Sequence, residues 1–216
     1  LPQTLIFLFP IAGVMLKLVV FDLDGVLVDA VSSWVWVHEH FGVNNDASLA
    51  LYMQGEIDDK EFMRRDIALW LNLKADLTVR DIEEILNGVP LMPGAVEAVQ
   101  ALKERGLLTA IISGGLDIVG KRVAHICGID YVIANGLKCD ESGHLLGEGI
   151  LRVELVRKDV PLRNLMRKLS VQKEECAVVG NSHIDVPMFH LAGLRIAFNP
   201  DDEEVERAAD IVLKTK

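Results

Sequence analysis

The chain has 216 residues, half of them apolar, a formal net charge of -10 and an isoelectric point near 5.0, which suits one α/β domain with a modest insertion. The shortage of Lys and Arg excludes a nucleic-acid surface, because no basic excess is available to displace phosphate counterions, although a small anion can still bind locally. Cys127, Cys139 and Cys176 are odd in number and widely spaced, which reads as reduced packing residues of a cytoplasmic protein and not as a disulfide or metal framework.

The segment LPQTLIFLFPIAGV, residues 1–14, is apolar and uncharged. It lacks the basic flank of a secretion signal and is too short and Pro-interrupted to span a membrane. It reads as a translation-start artefact ahead of Met15, or as a hydrophobic extension that packs on the protein or a partner. Leu16 to Phe21, LKLVVF, predicts a strand buried on both faces. From residue 31 to 89 the pattern is helical, in four stretches opened or closed by Asp, Thr, Asn or Gly. Four helices without a strand predict an inserted cap over 31–89, with the core formed by 15–30 and 90–216.

The core resumes after Pro93-Gly94 with the helix AVEAVQALKERG and the strand LLTAIIS. A helix over 117–127, a strand at 130–134 and a hairpin centred on Asp-Glu-Ser-Gly follow. Then come a helix at 160–169, the strand CAVVG, a helix over 185–191, the strand LRIAF and a final IVL. This rhythm predicts a three-layer, Rossmann-like parallel sheet with helices on both faces, whose ligands bind at the carboxyl ends of the strands.

The chemistry-bearing residues sit at those ends. Asp22 and Asp24 directly follow the first strand, so one ionised carboxylate can attack phosphorus while its neighbour gives a proton to the leaving oxygen. Gly25 permits a tight turn. Alone, DLDG also suits a calcium-type or helix-capping turn. Ser113 and Gly114 offer a hydroxyl and unhindered amides for a phosphoryl oxygen, though such strand ends are also ordinary turns. Lys158 can supply a fixed positive charge or lie on solvated surface. Asn181 and Asp185, in GNSHID, offer hard oxygens suited to magnesium, or else form a helix N-terminus. Their joint order, acid pair, Ser-Gly, Lys, oxygen ligands, is what lifts each above its bland reading.

The stretches FDLDGVLVD, IISGGLDI, IDYVIANGL, the Lys158 segment and VVGNSHIDVPMFHLAGLRIAFNP together resemble the haloacid dehalogenase superfamily, and within it the phosphoserine phosphatase-like branch. The resemblance implies a Rossmann-like core with a small helical cap. It implies Asp22 as nucleophile, Asp24 as acid and base, Ser113 with Gly114 as phosphate site and Lys158 as charge partner. It also implies Mg²⁺ bound by the Asp22 carboxylate, the Asp24 carbonyl and Asn181, with Asp185 close behind.

Two positions depart from the superfamily's GDGxND form, with Asn181 for the first Asp and Ile184 for the Asn. Asn181 keeps an oxygen but brings no charge, which predicts weaker metal affinity that Asn181→Asp restores. The phosphoserine enzymes place a glutamate nine residues past the nucleophile, where this chain has Val31. Arg64 or Arg65, on the third cap helix, faces either a substrate carboxylate or solvent. His183 reads as a rim residue, His38 and His40 as the polar face of a cap helix, and Trp34, Trp36 and Trp70 as cap packing or a substrate entrance. DDEEVE near 201–206 reads as a solvated helix start.

The expected function is a cytoplasmic, magnesium-dependent phosphomonoesterase for a small phosphorylated metabolite, phosphoserine-like among the candidates. The alternatives are a phosphotransferase or sugar-phosphate mutase, and a weakly catalytic phosphate-binding protein.

Overall fold

The computed structural model describes residues 15–215, so the apolar segment 1–14 lies outside the described residues. Strand β1 (Leu18–Phe21) is buried along its whole length. It pairs in parallel with β2 (Leu108–Leu116) and β5 (Cys176–Gly180). Outside these lie β3 (Tyr131–Cys139), β4 (Leu145–Ile150), β6 (Leu194–Phe198) and β7 (Ile211–Leu213), giving a sheet of order β4-β3-β2-β1-β5-β6-β7. The sheet is parallel except at β4, which runs antiparallel to β3 because the Asp140 to Gly143 turn folds the chain straight back as a hairpin.

Successive residues of a strand point to opposite faces, and β1 divides accordingly. Val19 and Phe21 join the layer containing Val99, Leu102, Val119 and Val123, carried by α5 (Ala95–Glu104) and α6 (Asp117–Cys127). Leu18 and Val20 join Leu162, Leu165, Met188 and Phe189, carried by α7 (Asp159–Leu169) and α8 (Val186–Phe189). Helix α9 (Glu203–Ala208) precedes β7. The helix expected over 185–191 is instead a 3-10 turn at His183–Asp185 followed by the single turn of α8, with Pro187 in its first turn.

Between β1 and α5 the chain makes four helices, α1 (Ser33–Phe41), α2 (Asp46–Met53), α3 (Asp59–Leu71) and α4 (Val79–Leu86). Their ends are set by local chemistry. Ser32 caps α1 through the Trp34 amide, Gly42 closes it at φ 65°, and Thr78 and Asp81 form a reciprocal capping box on α4. His38 does not lie on a polar face: it is buried on α1 and accepts the Trp70 indole N–H at 2.8 Å. Among the described residues no helix is long and apolar enough to cross a membrane.

Candidate active site

Asp22 leaves β1 at its carboxyl end, where its N–H donates to Val179 O at 2.9 Å and its carboxylate Oδ1 accepts the Leu23 N–H at 2.8 Å. Lys158, fully buried at the start of α7, lies 3.1 Å from Asp22 Oδ1 and 2.7 Å from Asp185 Oδ1. One ammonium therefore bridges two buried carboxylates. Burial opposes its charge, but Asp185 and Asp22 hold its pKa above the ordinary lysine range. Asp185 Oδ2 accepts the N–H groups of Asn181 and Ser182 at 3.0 and 3.2 Å. Both its oxygens are thus occupied by protein, which sets Asp185 behind the site as an anchor for Lys158 and for the 181–182 turn.

Asp24 is held differently. Its Oδ2 accepts both the N–H and the hydroxyl of Ser33, each at 3.1 Å, and the Ser33 Oγ in turn accepts the Leu116 N–H at 2.8 Å. The other oxygen, Oδ1, is buried without a partner among the described residues. Burial raises the Asp24 pKa to about 7, with Asp22 adding to the shift. Burial raises Asp22 to about 6 against the opposing pull of Lys158. Ser33 was not legible as part of this arrangement, because in VSSWV it reads only as a helix start.

Ser113 and Gly114 face this pair across the crevice. Strand β2 continues through Ser113-Gly114-Gly115, pairing with β3 again at Leu116 after a register shift, and the Gly114 carbonyl accepts both the Trp34 indole N–H and the Asn135 side-chain amide, each at 3.1 Å. A Cβ on Gly115 would stand 2.5 Å from Asp24 Oδ2, and one on Gly25, whose φ is 75°, would stand 2.5 Å from Asn181 Nδ2. Side chains at either place would fill the space around the acids.

Asn181 donates its amide to Asp201 Oδ2 at 2.7 Å. Asp201, read from sequence as part of a solvated helix start, instead borders the site, and burial raises its pKa against the opposing bond from Asn181. Asp22, Asp24, Ser113, Gly114, Lys158, Asn181 and Asp201 line a cavity of about 270 Å³, flanked on the helical side by Trp34, Asn45, Leu49, Asp59, Phe62 and Asp66, while Asp185 and Ser33 stand behind its wall. Ile184 lies on its wall, and Val31, 89% exposed, at its rim. Arg64 and Arg65 do not reach it: both guanidinium groups pair with Glu61 on the outside of α3. His183 is half exposed and pairs with Asp202, in keeping with a rim position. Trp34 lines the cavity and stacks on Trp70 with ring centroids 5.5 Å apart, while Trp36 bonds Ile85 O. The tryptophans thus divide between wall and packing.

The donor set fits a hard cation. No group of three or more His, Cys, Asp or Glu among the described residues is arranged to hold an ion unaided. The Asn181 Oδ1, turned away from Asp201 by the amide's own bond, is an oxygen donor of the kind magnesium takes beside the Asp22 carboxylate and the Asp24 backbone carbonyl.

Residues 19–190 match the family model described as haloacid dehalogenase-like hydrolase. The chain belongs to this family. As a haloacid dehalogenase-like hydrolase it is 30% identical over 190 residues to the phosphoserine phosphatase of Methanocaldococcus jannaschii, covering 84% of this chain and 85% of that protein. It is 33% identical over 186 residues to the phosphoserine phosphatase of Archaeoglobus fulgidus, covering 85% of this chain and 52% of that one, so it spans about half of that longer relative. A solved structure described as a phospho-aspartyl intermediate analogue of phosphoserine phosphatase superposes with a TM-score of 0.74 at 28% identity, over 93% of this chain and 94% of that one. The chain is a phosphoserine phosphatase-like hydrolase of the haloacid dehalogenase family, and a phosphatase.

Proposed function

We propose that the protein is a magnesium-dependent phosphomonoesterase that removes phosphate from a small metabolite through an aspartyl-phosphate on Asp22. In this reading residues 31–89 are the cap, 15–30 and 90–216 are the core, and the enzyme works in the cytoplasm. The observation that carries it is the unequal treatment of the two acids, one bridged to Lys158 and the other held by Ser33.

An Asp22 oxygen attacks phosphorus as the bond to the leaving oxygen breaks. Lys158 keeps Asp22 ionised and aligned. Because both Ser33 donors point at Asp24 Oδ2, the proton of the neutral acid resides on Oδ1, the oxygen with no protein partner. That proton passes to the leaving oxygen. Asp24, now ionised, takes a proton from water as the water oxygen attacks phosphorus, and the P–O bond to Asp22 breaks to free phosphate. Ser113 and the Gly114 backbone hold phosphoryl oxygens. The Asp22 carboxylate, the Asp24 carbonyl and Asn181, with Asp185 behind, would hold Mg²⁺, which would supply positive charge to the phosphoryl group.

The test is hydrolysis of p-nitrophenyl phosphate with magnesium, run beside Asp22→Asn, with free phosphate measured in the presence and absence of a sugar-phosphate acceptor. Asp22-dependent phosphate release supports the hydrolase. Transfer to the acceptor in place of release would make it a phosphotransferase, and no Asp22-dependent turnover would leave a phosphate-binding protein.

A further inference from the structure

The wall that meets the leaving group is acidic, and among the described residues no base stands in it. Asp59 and Asp66 on α3 line the same cavity as Asp22 and Lys158. Asp66 is 3% exposed, yet its carboxylate is served only by neutral donors. Asn45 Nδ2 lies 3.1 Å from each oxygen, whereas His38 Nε2, 3.4 Å from Oδ2, makes no hydrogen bond to it. His38 does not cancel the charge. Its Nδ1 accepts the Trp70 indole N–H, so the ring's one proton sits on Nε2, and a second on Nδ1 would run into that indole. Asp59 Oδ1 accepts the Leu155 N–H at 2.9 Å and the Tyr52 hydroxyl at 3.2 Å, again neutral donors.

Buried carboxylates ordinarily carry a cationic partner. Among the described lining residues the single basic one, Lys158, is already committed to Asp22 and Asp185. Asp24 Oδ1, buried and unpartnered in the same cavity, is accounted for at the phosphoryl end by the proton it carries, which leaves the α3 carboxylates, among the described residues, as groups without a partner of opposite charge. The same cavity also carries apolar lining, with Leu49, Phe62 and Met63.

We infer that the leaving group is a short carbon chain that carries an ammonium group and no carboxylate, its nitrogen set against Asp66 and Asp59. The inference rests on the phosphomonoesterase reading and deepens it. A carboxylate on the leaving group would meet like charge with no cation in reach; an ammonium supplies the partner that the wall lacks.

The experiment compares kcat/KM for O-phosphoethanolamine with that for 2-hydroxyethyl phosphate, its neutral counterpart, and for O-phospho-L-serine, which adds only the carboxylate. Phosphoethanolamine should exceed each of the others by about tenfold or more. In Asp66→Asn the ratio of phosphoethanolamine to hydroxyethyl phosphate should fall toward one. Because both substrates are read on one sample, partial unfolding cancels from the ratio, and Asp59→Asn gives the same reading if Asp66→Asn does not fold. Phosphoserine turned over as well as phosphoethanolamine, or a ratio untouched by both substitutions, overturns the inference. Asp22-dependent turnover of p-nitrophenyl phosphate without amine preference overturns this inference alone, whereas no turnover at all overturns the hydrolase reading with it.

Discussion

Asn181 donates its side-chain amide to Asp201 at 2.7 Å, so the position where the superfamily pattern expects a first Asp is already paired with a carboxylate from another loop. Sequence alone predicts that Asn181→Asp raises magnesium affinity. The pairing changes that expectation, since the new carboxylate would replace a donor with a second acceptor and face Asp201 at hydrogen-bond distance. The double substitution Asn181→Asp with Asp201→Asn preserves the bond with its direction reversed. Calorimetric titration with MgCl₂ should show a larger gain in affinity for the double variant than for Asn181→Asp, and equal gains would contradict the pairing argument.

Asp24→Asn should separate the two half-reactions. p-Nitrophenolate leaves without a proton, so phosphorylation of Asp22 needs no acid, whereas activation of water still needs a base. Rapid mixing should give a burst approaching one nitrophenolate per chain, then a steady rate lower by about 10²-fold or more. A variant that turns over steadily without a burst would remove Asp24 from the second step.

The raised carboxylates also set a pH dependence of stability in the metal-free protein. With its pKa lifted from 3.8 to about 7, Asp24 binds a proton in the folded chain that the unfolded chain has already lost between those values. Its contribution is therefore full below pH 3.8 and is lost as pH rises through 7. Asp24→Asn should raise the melting temperature at pH 8, and by clearly less at pH 5, where only the part between 3.8 and 5 has been lost. The gain is on the order of 1–3 kcal/mol, at about 2–4 °C per kcal/mol for a chain of this size. Differential scanning calorimetry in EDTA at the two pH values decides it, and a gain no larger at pH 8 than at pH 5 would count against the assignment.

Lys158→Met removes the cation between Asp22 and Asp185 and leaves two buried acids facing each other. The expected cost is about 3–5 kcal/mol at pH 8, above the raised Asp22 pKa of about 6, and less at pH 5, where Asp22 holds a proton. Lys158→Arg should not rescue activity, because Lys158 is fully buried with its single nitrogen between two carboxylates, where the larger planar guanidinium has no room. Urea denaturation at both pH values, with phosphatase assays beside it, provides the check.

The sheet and its strand-end residues were readable because buried parallel strands are continuous apolar runs, and the acids, the Ser-Gly pair and the GNSHID turn interrupt such runs abruptly. Lys158 was readable only through its order in the resemblance, since nothing local tells a buried lysine from an exposed one. Ser33 and Asp201 escaped because each also makes sense as a helix-start residue, and their second partners, Leu116 and Asn181, lie 83 and 20 residues away. His38 escaped for a related reason: its neighbour Glu39 and the exposed His40 make the segment look solvated, while its partner Trp70 comes from another helix. The reversal of β4 follows from the turn, which the sequence did show, but its place in the main sheet depends on pairing that no local pattern encodes.

The cavity's two halves come from separate stretches of chain. The groups at the strand ends come from β1, β2 and the segments after them, while Asn45, Asp59 and Asp66 all belong to the stretch between β1 and α5. One bond, from the Leu155 N–H to Asp59, stitches α3 to the turn three residues ahead of Lys158. Selectivity is therefore portable. A chimaera that exchanges residues 35–86 for the equivalent stretch of a relative, keeping Ser33 and Trp34 in place and an acceptor at position 59, would inherit a new clientele while leaving the phosphorus chemistry on its original bench.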